Sequence, residues 1–355
     1  MDFNKESVID DKIWDSITES KDDLKSEIEN CEKEAKKHIG FFKIQSANDW
    51  IEEAKHLKVD KMLCDCLWFE GELCVLFASA NLGKSILGYQ IANSITTGKA
   101  IEPFRLEAKK QPVLYFDFEL NKKKFRKRYT TDNKKPFQFD ASLKRIEIDV
   151  NEISESDING YNEDLVLSKI EQVIVQTEIK ICIVDNMSYL IRNNEKSKDA
   201  TPFLFKLNHL KHKYGLSILV LGHTPKREYE KPLSLMDLAG SAAMGNFIDS
   251  AFAIGKVQDN VGERYIKQVK QRDSEEVYHA ENVPIMKIEQ VNSFLQMTFQ
   301  KEYGIEKDLL SKVDSEKRQD LIQKVKDLIT MGKTYDQIKE MTGLAKGTIS
   351  KYKNM

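Results

Sequence analysis

The chain has 355 residues, with 55 Lys and Arg against 57 Asp and Glu, and therefore a formal net charge of −2 at pH 7. This length allows one large α/β core with smaller appendages. The balanced charge excludes a protein that is basic throughout, so any nucleic-acid contact must be local. The sequence has no apolar run of the roughly 20 residues that a membrane span needs, and its acidic, polar start is unlike a signal peptide. We therefore expect a cytoplasmic protein that does not bind membranes.

The five cysteines predict neither a disulfide nor a metal cage, because they are odd in number and scattered along the chain. Composition divides the chain into three parts. Residues 1–46 alternate acids and lysines with few apolar positions, and they predict a helical or mobile acidic arm. This arm is either solvated or docked on a neighbouring subunit. We expect an α/β core over residues 47–300 and a small all-α domain over residues 301–355.

A strand, a loop and a helix follow one another between Leu73 and Gly98, in the order typical of a P-loop nucleotide-binding protein. Leu73 to Phe77 form an apolar run, and the residues after the loop have a helical pattern that ends near Gly98. Backbone N–H groups of such a loop surround the β-phosphate, and the helix N-terminus attracts its charge. The predicted nucleotide-binding residues are Ala78, Ser79, Ala80, Asn81, Leu82, Gly83, Lys84 and Ser85.

The last three residues of this loop have distinct predicted roles. Gly83 permits the close approach of the backbone to the phosphates. The Lys84 ammonium would reach the β- and γ-phosphates of ATP, and the Ser85 hydroxyl would ligate Mg²⁺.

Further candidate site residues lie at the carboxyl ends of three apolar strand patterns, where open α/β sheets bind their ligands. In PVLYFDFEL, Glu119 is the candidate that activates water, and Asp117 shares its strand face if the strand extends that far. IKICIVD ends in Asp185, a Walker B arrangement that helps to hold Mg²⁺. SILVLG is followed by His223, a candidate sensor of the γ-phosphate.

The segment from Asn121 to Lys135 is strongly basic. It could contact nucleic-acid phosphates, or it could be the solvated face of a helix.

These pieces together resemble the RecA-like hexameric helicases of the DnaB and RepA types. FDFE (Phe116 to Glu119) is similar to the segment with that family's catalytic glutamate, and His223 falls where the family has a polar γ-phosphate sensor. The stretch from Lys231 to Ile254 is similar to the region around the DNA-facing loop. KQRDS (Lys270 to Ser274) resembles the family's KQRNG segment.

The resemblance implies a RecA-like core with a mostly parallel sheet and a homo-oligomer, either a hexameric ring or a filament. It also implies that Lys270 and Arg272 reach a neighbour's nucleotide in trans, where an arginine can neutralise transition-state charge. The sequence departs from the DnaB type in two ways. It lacks an arginine near LAGS, and the large helical N-terminal domain is not evident.

The C-terminal residues predict an amphipathic helix from Ser315 to Thr330, followed by a helix capped at Thr334, a turn at Gly343 and a second helix. This pattern resembles the resolvase-type helix-turn-helix, whose second helix enters the major groove of DNA. A small protein-docking bundle is the alternative. The candidate DNA-contacting residues are Lys346, Thr348, Ser350 and Lys351.

The sequence therefore predicts an ATP-hydrolysing, DNA-associated motor or switch, helicase-like, with ATP and Mg²⁺ as its ligands. One alternative is an ATP-dependent DNA-binding regulator or replication initiator that does not unwind DNA. The other is a P-loop phosphotransferase, which would transfer phosphate to an acceptor instead of releasing it.

Overall fold

The computed structural model describes residues 38–131, 135–153, 163–186, 200–224, 227, 230–238, 244–258, 260, 262–272, 274–310 and 315–353. Most of the predicted arm, up to residue 37, lies outside these ranges. The chain divides into two compact units, Met1–Val59 and Asp60–Met355. Across the described ranges, no helix is both long enough and apolar enough to span a membrane.

The described part of the first unit is a hairpin followed by a helix. Strands β1 (His38–Ile39) and β2 (Phe42–Lys43) pair antiparallel around a glycine with a φ of +60°. Helix α1 (Ala47–Ala54) begins after Ser46, which forms a capping box with Asp49. The described end of the predicted helical arm is therefore a pair of short strands, because Gly40 supports a tight turn that a helix cannot contain.

A sheet of nine strands lies at the centre of the second unit, and its strands follow the order β13-β12-β11-β10-β5-β9-β8-β6-β7. The strands from β10 to β7 along this order pair in parallel, and the three strands beyond β10 pair antiparallel. The predicted mostly parallel sheet is confirmed. Its strands are β5 (Leu73–Ala78), β6 (Val113–Asp117), β7 (Leu143–Ile146), β8 (Ile181–Asp185), β9 (Ser217–His223), β10 (Ser250–Lys256), β11 (Glu263–Lys270), β12 (Val283–Val291) and β13 (Phe294–Gly304).

Helices cover both faces of this sheet, which explains why β5, β6 and β8 are buried along their whole lengths. Helix α2 (Lys84–Thr97) packs on one face through Leu87, Ile91 and Ile95. Helices α4 (Glu163–Thr177) and α5 (Ala200–Tyr214) pack on the other. The unit also contains β3 (Met62–Cys64), β4 (Trp68–Phe69), α3 (Lys122–Arg128) and α6 (Glu306–Leu310).

Three helices at the C-terminus enclose a small core of their own. They are α7 (Ser315–Thr330), α8 (Tyr335–Thr342) and α9 (Lys346–Lys353). Helix α8 begins with a capping box between Thr334 and Gln337 and ends at Gly343, whose φ is +73°. The predicted cap and turn are thus confirmed. The buried core residues are Val325, Leu328, Ile338, Ile349 and Tyr352.

Candidate active site

The predicted phosphate loop connects β5 to α2, as its sequence pattern indicates. Gly83 has a φ of +99°, and a Cβ at this position would lie 2.5 Å from Met297 Cε and 2.8 Å from Ile288 Cδ1. The backbone angle favours glycine here, and any larger residue would also have to displace the ends of these two side chains. The side chains of β12 and β13 therefore lie directly against the loop.

Lys84 is held at the start of α2 with its ammonium turned back to the loop. Its Nζ donates to the carbonyl oxygen of Ala78 at 2.9 Å and lies 3.1 Å from Nδ1 of His223. Burial lowers the pKa of Lys84 to about 8, against the opposing effect of the Asp185 and Glu119 charges. A bound phosphate would supply the negative charge that stabilises this buried ammonium.

Asp185 is fully buried at the end of β8, and its Oδ2 accepts a hydrogen bond from Tyr115 Oη at 2.9 Å. Burial is the main cause that raises its pKa to about 6, although the Ser85 and Tyr115 hydroxyls act in the other direction. Among the described residues, Oδ1 has no hydrogen-bond partner of normal geometry. A buried carboxylate oxygen without a partner, close to a hydroxyl, fits Mg²⁺, which prefers oxygen ligands.

His223 connects the P-loop lysine to the predicted catalytic acid through a residue that sequence analysis missed. It pairs in register with Ala78, the last residue of β5. Its Nε2 lies 3.2 Å from Asn186 Nδ2, which donates to Glu119 Oε2 at 2.6 Å. Burial, reinforced by the Lys84 charge, lowers the pKa of His223, so its ring is neutral at pH 7. Asn186 could have been noticed as the first residue after β8 at the sheet's carboxyl edge.

Asp117 and Glu119 do not share a strand face, because β6 ends at Asp117. Asp117 is buried, and it accepts hydrogen bonds from Arg145 Nε at 2.9 Å and from Tyr89 Oη at 2.8 Å. These two partners hold the Asp117 carboxylate in place, and Asp117 also borders the cavity beside Glu119. Glu119 lines an open cavity of about 610 Å³ together with Lys122 and other residues around the start of α3.

Lys270 and Arg272 lie away from the P-loop of their own chain. Lys270 pairs in register with Ala251, which lies beside Val75 near the start of β5, whereas the P-loop follows the end of that strand. Lys270 donates to the carbonyl oxygen of Ile248 at 2.6 Å, and Arg272 donates to that of Asn246 at 2.6 Å. The site in one chain is therefore built without this pair, and their role in trans remains a prediction.

The candidate DNA-contacting residues of α9 fall on two faces of that helix. Thr348 and Lys351 line a cavity against the core, and Lys351 lies 3.6 Å from Glu263 of β11. Lys346 is exposed and pairs with Asp336 of α8 at 2.6 Å. Ser350 is half-buried and, at helical spacing, lies on the same side as Lys346. Lys353, which sequence analysis did not select, is exposed on this side as well.

Comparisons with known proteins place the ATPase core in a family. The model of the AAA domain family matches residues 44–228, about half of the chain, and the chain belongs to this family. A KaiC-like protein from the hyperthermophilic archaeon Pyrococcus horikoshii OT3 is similar in structure, with a TM-score of 0.44 and 13% sequence identity. The match covers 65% of this chain and 90% of that one. No curated protein matches the sequence. The family and the P-loop together define a P-loop ATPase.

Proposed function

We propose that the protein is an ATP-hydrolysing, DNA-associated motor or switch that works as a hexameric ring or a filament. The observation that carries this proposal is the row of polar contacts that brings Lys84, His223, Asn186 and Glu119 together, in which the Asn186 amide donates to Glu119. It links the group that binds the γ-phosphate to the group that activates water. A site with this link can report the state of the nucleotide as well as hydrolyse it.

In the proposed mechanism the P-loop backbone and Lys84 bind the phosphates of ATP. Ser85 and Asp185 would hold Mg²⁺, which when bound neutralises charge on the phosphates. Glu119 accepts a proton from the attacking water while Asn186 holds its carboxylate in place. Neutral His223 contacts the γ-phosphate.

DNA association is supported by the pattern of α8 and α9, two short helices joined by a turn at a left-handed glycine. The assembly is supported by the position of Arg272. Its strand ends at the edge of the sheet opposite to its own P-loop, so a role at a nucleotide requires a second copy.

The test is phosphate release from ATP by the full chain and by Lys84→Ala. Loss of the ammonium should lower kcat by at least about 100-fold, because this charge acts on the phosphates in the transition state. The matched control is Lys99→Ala, which removes an exposed lysine just beyond the other end of α2. Wild-type turnover by Lys84→Ala would refute the site. Phosphate appearing on an acceptor instead of in solution would indicate a phosphotransferase.

A regulator or initiator that does not unwind DNA is the second candidate. The sequence favours it in one respect, since LAGS at residues 238–241 has no neighbouring arginine. Residues 239–243 of this stretch lie outside the described ranges. A strand-displacement assay separates the two candidates, because a regulator hydrolyses ATP in the presence of DNA and leaves the duplex intact.

A further inference from the structure

Helix α3 concentrates positive charge beside the catalytic edge of the sheet. It begins three residues after Glu119, and all of its residues except Phe125 are lysine or arginine. Lys123, Lys124, Arg126 and Lys127 are exposed. In a chain whose formal net charge is −2, this is a strong local departure from the average.

The distribution of these cations is unfavourable for the helix itself. Cations in the last turn suit the helix macrodipole, but the first turn of α3 contains lysines and no acid. Each of the pairs Lys122–Arg126, Lys123–Lys127 and Lys124–Arg128 also places like charges four residues apart, which destabilises a helix. Apart from its last turn, the charge pattern therefore does not stabilise α3, and binding of an external anion gives a reason for it.

Aromatic packing holds α3 in place in spite of this repulsion. The Phe125 ring lies 4.9 Å from that of Tyr129 and 5.2 Å from that of Tyr89, and the Arg145 guanidinium lies 5.0 Å from its centre. Asn121 caps the helix by accepting from the Lys124 backbone N–H at 2.9 Å. At helical spacing, the side opposite Phe125 presents Lys123 and Lys127.

Few carboxylates neutralise this surface. Among the described residues, Glu147 is the one acid paired with an α3 cation, through Lys122 at 3.0 Å, and it is shared with Arg145. The buried Nη1 of Arg128 has no hydrogen-bond partner within the described ranges. Within the described part of the chain, the charge of α3 is thus largely uncompensated.

We propose that the exposed face of α3 binds the phosphate groups of a nucleic-acid backbone. A rigid row of cations without base-reading groups suits contacts that are independent of sequence. The inference rests on the proposed DNA association and adds a second contact, on the ATPase core and next to Glu119, to the one proposed for α9.

The test measures DNA binding by fluorescence anisotropy. The full chain is titrated against a labelled single-stranded oligonucleotide and, separately, against a labelled duplex of equal length, each over a series of salt concentrations. The α3 variant is Lys123→Gln/Lys124→Gln/Lys127→Gln. Loss of three phosphate contacts should weaken binding and reduce the slope of log K against log salt by about 2 for the single strand or about 3 for the duplex. The strand form whose slope falls by its expected amount, while the other form's slope changes little, is the form that α3 binds.

The matched control is Lys99→Gln/Lys109→Gln/Lys180→Gln, which removes the same charge from exposed positions just after α2 and just before β6 and β8, at the opposite edge of the sheet from α3. A thermal midpoint no lower than that of the wild type verifies that each variant is folded. If Lys346→Gln/Lys353→Gln weakens DNA binding and the α3 variant does not, the α3 proposal is overturned while the proposed function stands. If the wild type binds neither oligonucleotide, both fail, and an acidic protein surface becomes the expected ligand of α3.

Discussion

The environment of Asp185 is unfavourable for a charged carboxylate. The side chain is fully buried, and among the described residues one of its oxygens has no hydrogen-bond partner of normal geometry. Burial raises its pKa from 3.8 to about 6. In the metal-free protein, the ionised carboxylate therefore lowers the free energy of unfolding. The same environment makes the position suitable for a cation, because bound Mg²⁺ would compensate the buried negative charge.

Asp185→Asn should therefore stabilise the metal-free protein while abolishing Mg²⁺-dependent ATP hydrolysis. Below about pH 3 the wild-type carboxyl is protonated in both folded and unfolded chains, so the variant gains little. As the pH rises through 6 the wild type loses stability, and the advantage of the variant grows to about 3 kcal/mol and stays there above pH 7. Chemical denaturation between pH 4 and 8 measures it. The control is Asp320→Asn, which replaces an exposed acid, and a variant less stable than wild type at pH 7.5 would contradict the expectation.

Packing against the rest of the chain gives helix α9 a buried side and an exposed side. Ile349 and Tyr352 enter the three-helix core. Gly347 lies against β13, where an added Cβ would be 3.1 Å from Glu302 Cγ. Burial raises the pKa of Glu302, against the effect of the Lys351 charge. In this arrangement the side of α9 open to solvent is that of Lys346 and Lys353.

DNA binding should therefore depend on one side of α9 more than on the other. Lys346→Gln/Lys353→Gln should weaken DNA binding and reduce its salt dependence, since each lysine lost removes about one phosphate contact. Thr348→Ala/Lys351→Gln should leave DNA affinity nearly unchanged, because these side chains face the core. Titration of both variants with the same duplex provides the comparison. If the second variant loses more affinity than the first, α9 must leave the core in order to bind DNA.

The elements that could be predicted from the sequence are those whose structure is determined by residues close together in the chain. Strands β5, β6 and β8 were predictable because a strand buried on both faces reads as a continuous apolar run. The residues at their ends were predictable because such ends meet at one edge. Asn186 and Gln90 were not, because their roles depend on partners distant in the chain. Gln90 exchanges two hydrogen bonds of 2.9 Å with the Met297 backbone, which no local pattern reveals.

The proposed assembly rests on the separation between Arg272 and the P-loop of the same chain. An alternative role is structural, since Arg272 also contacts Asp249 at 3.3 Å in the same chain. Mixing two inactive variants distinguishes a role of Arg272 in trans from a structural role. A subunit with an intact P-loop and a subunit with an intact Arg272 can form one complete site only if the arginine acts across an interface.

Lys84→Ala and Arg272→Ala should each lack ATPase activity, and a mixture of the two should regain part of it. Native mass measurement with a non-hydrolysable ATP analogue should show oligomers of the wild type. A mixture of Lys84→Ala with Lys84→Ala/Arg272→Ala is the control and should stay inactive. A strict monomer with and without the analogue would refute the assembly. Oligomers whose mixture stays inactive would assign Arg272 the structural role.

The strand order of the central sheet sets the smallest fragment that can be expressed. The family match ends at residue 228, yet one neighbour of β5 in the sheet is β10, which comes from Ser250–Lys256. A fragment that stops at the match would leave the backbone of β5 open along one side, and such an edge recruits other chains into aggregates. Gln90 extends the requirement to Met297, so a usable ATPase fragment has to include β13.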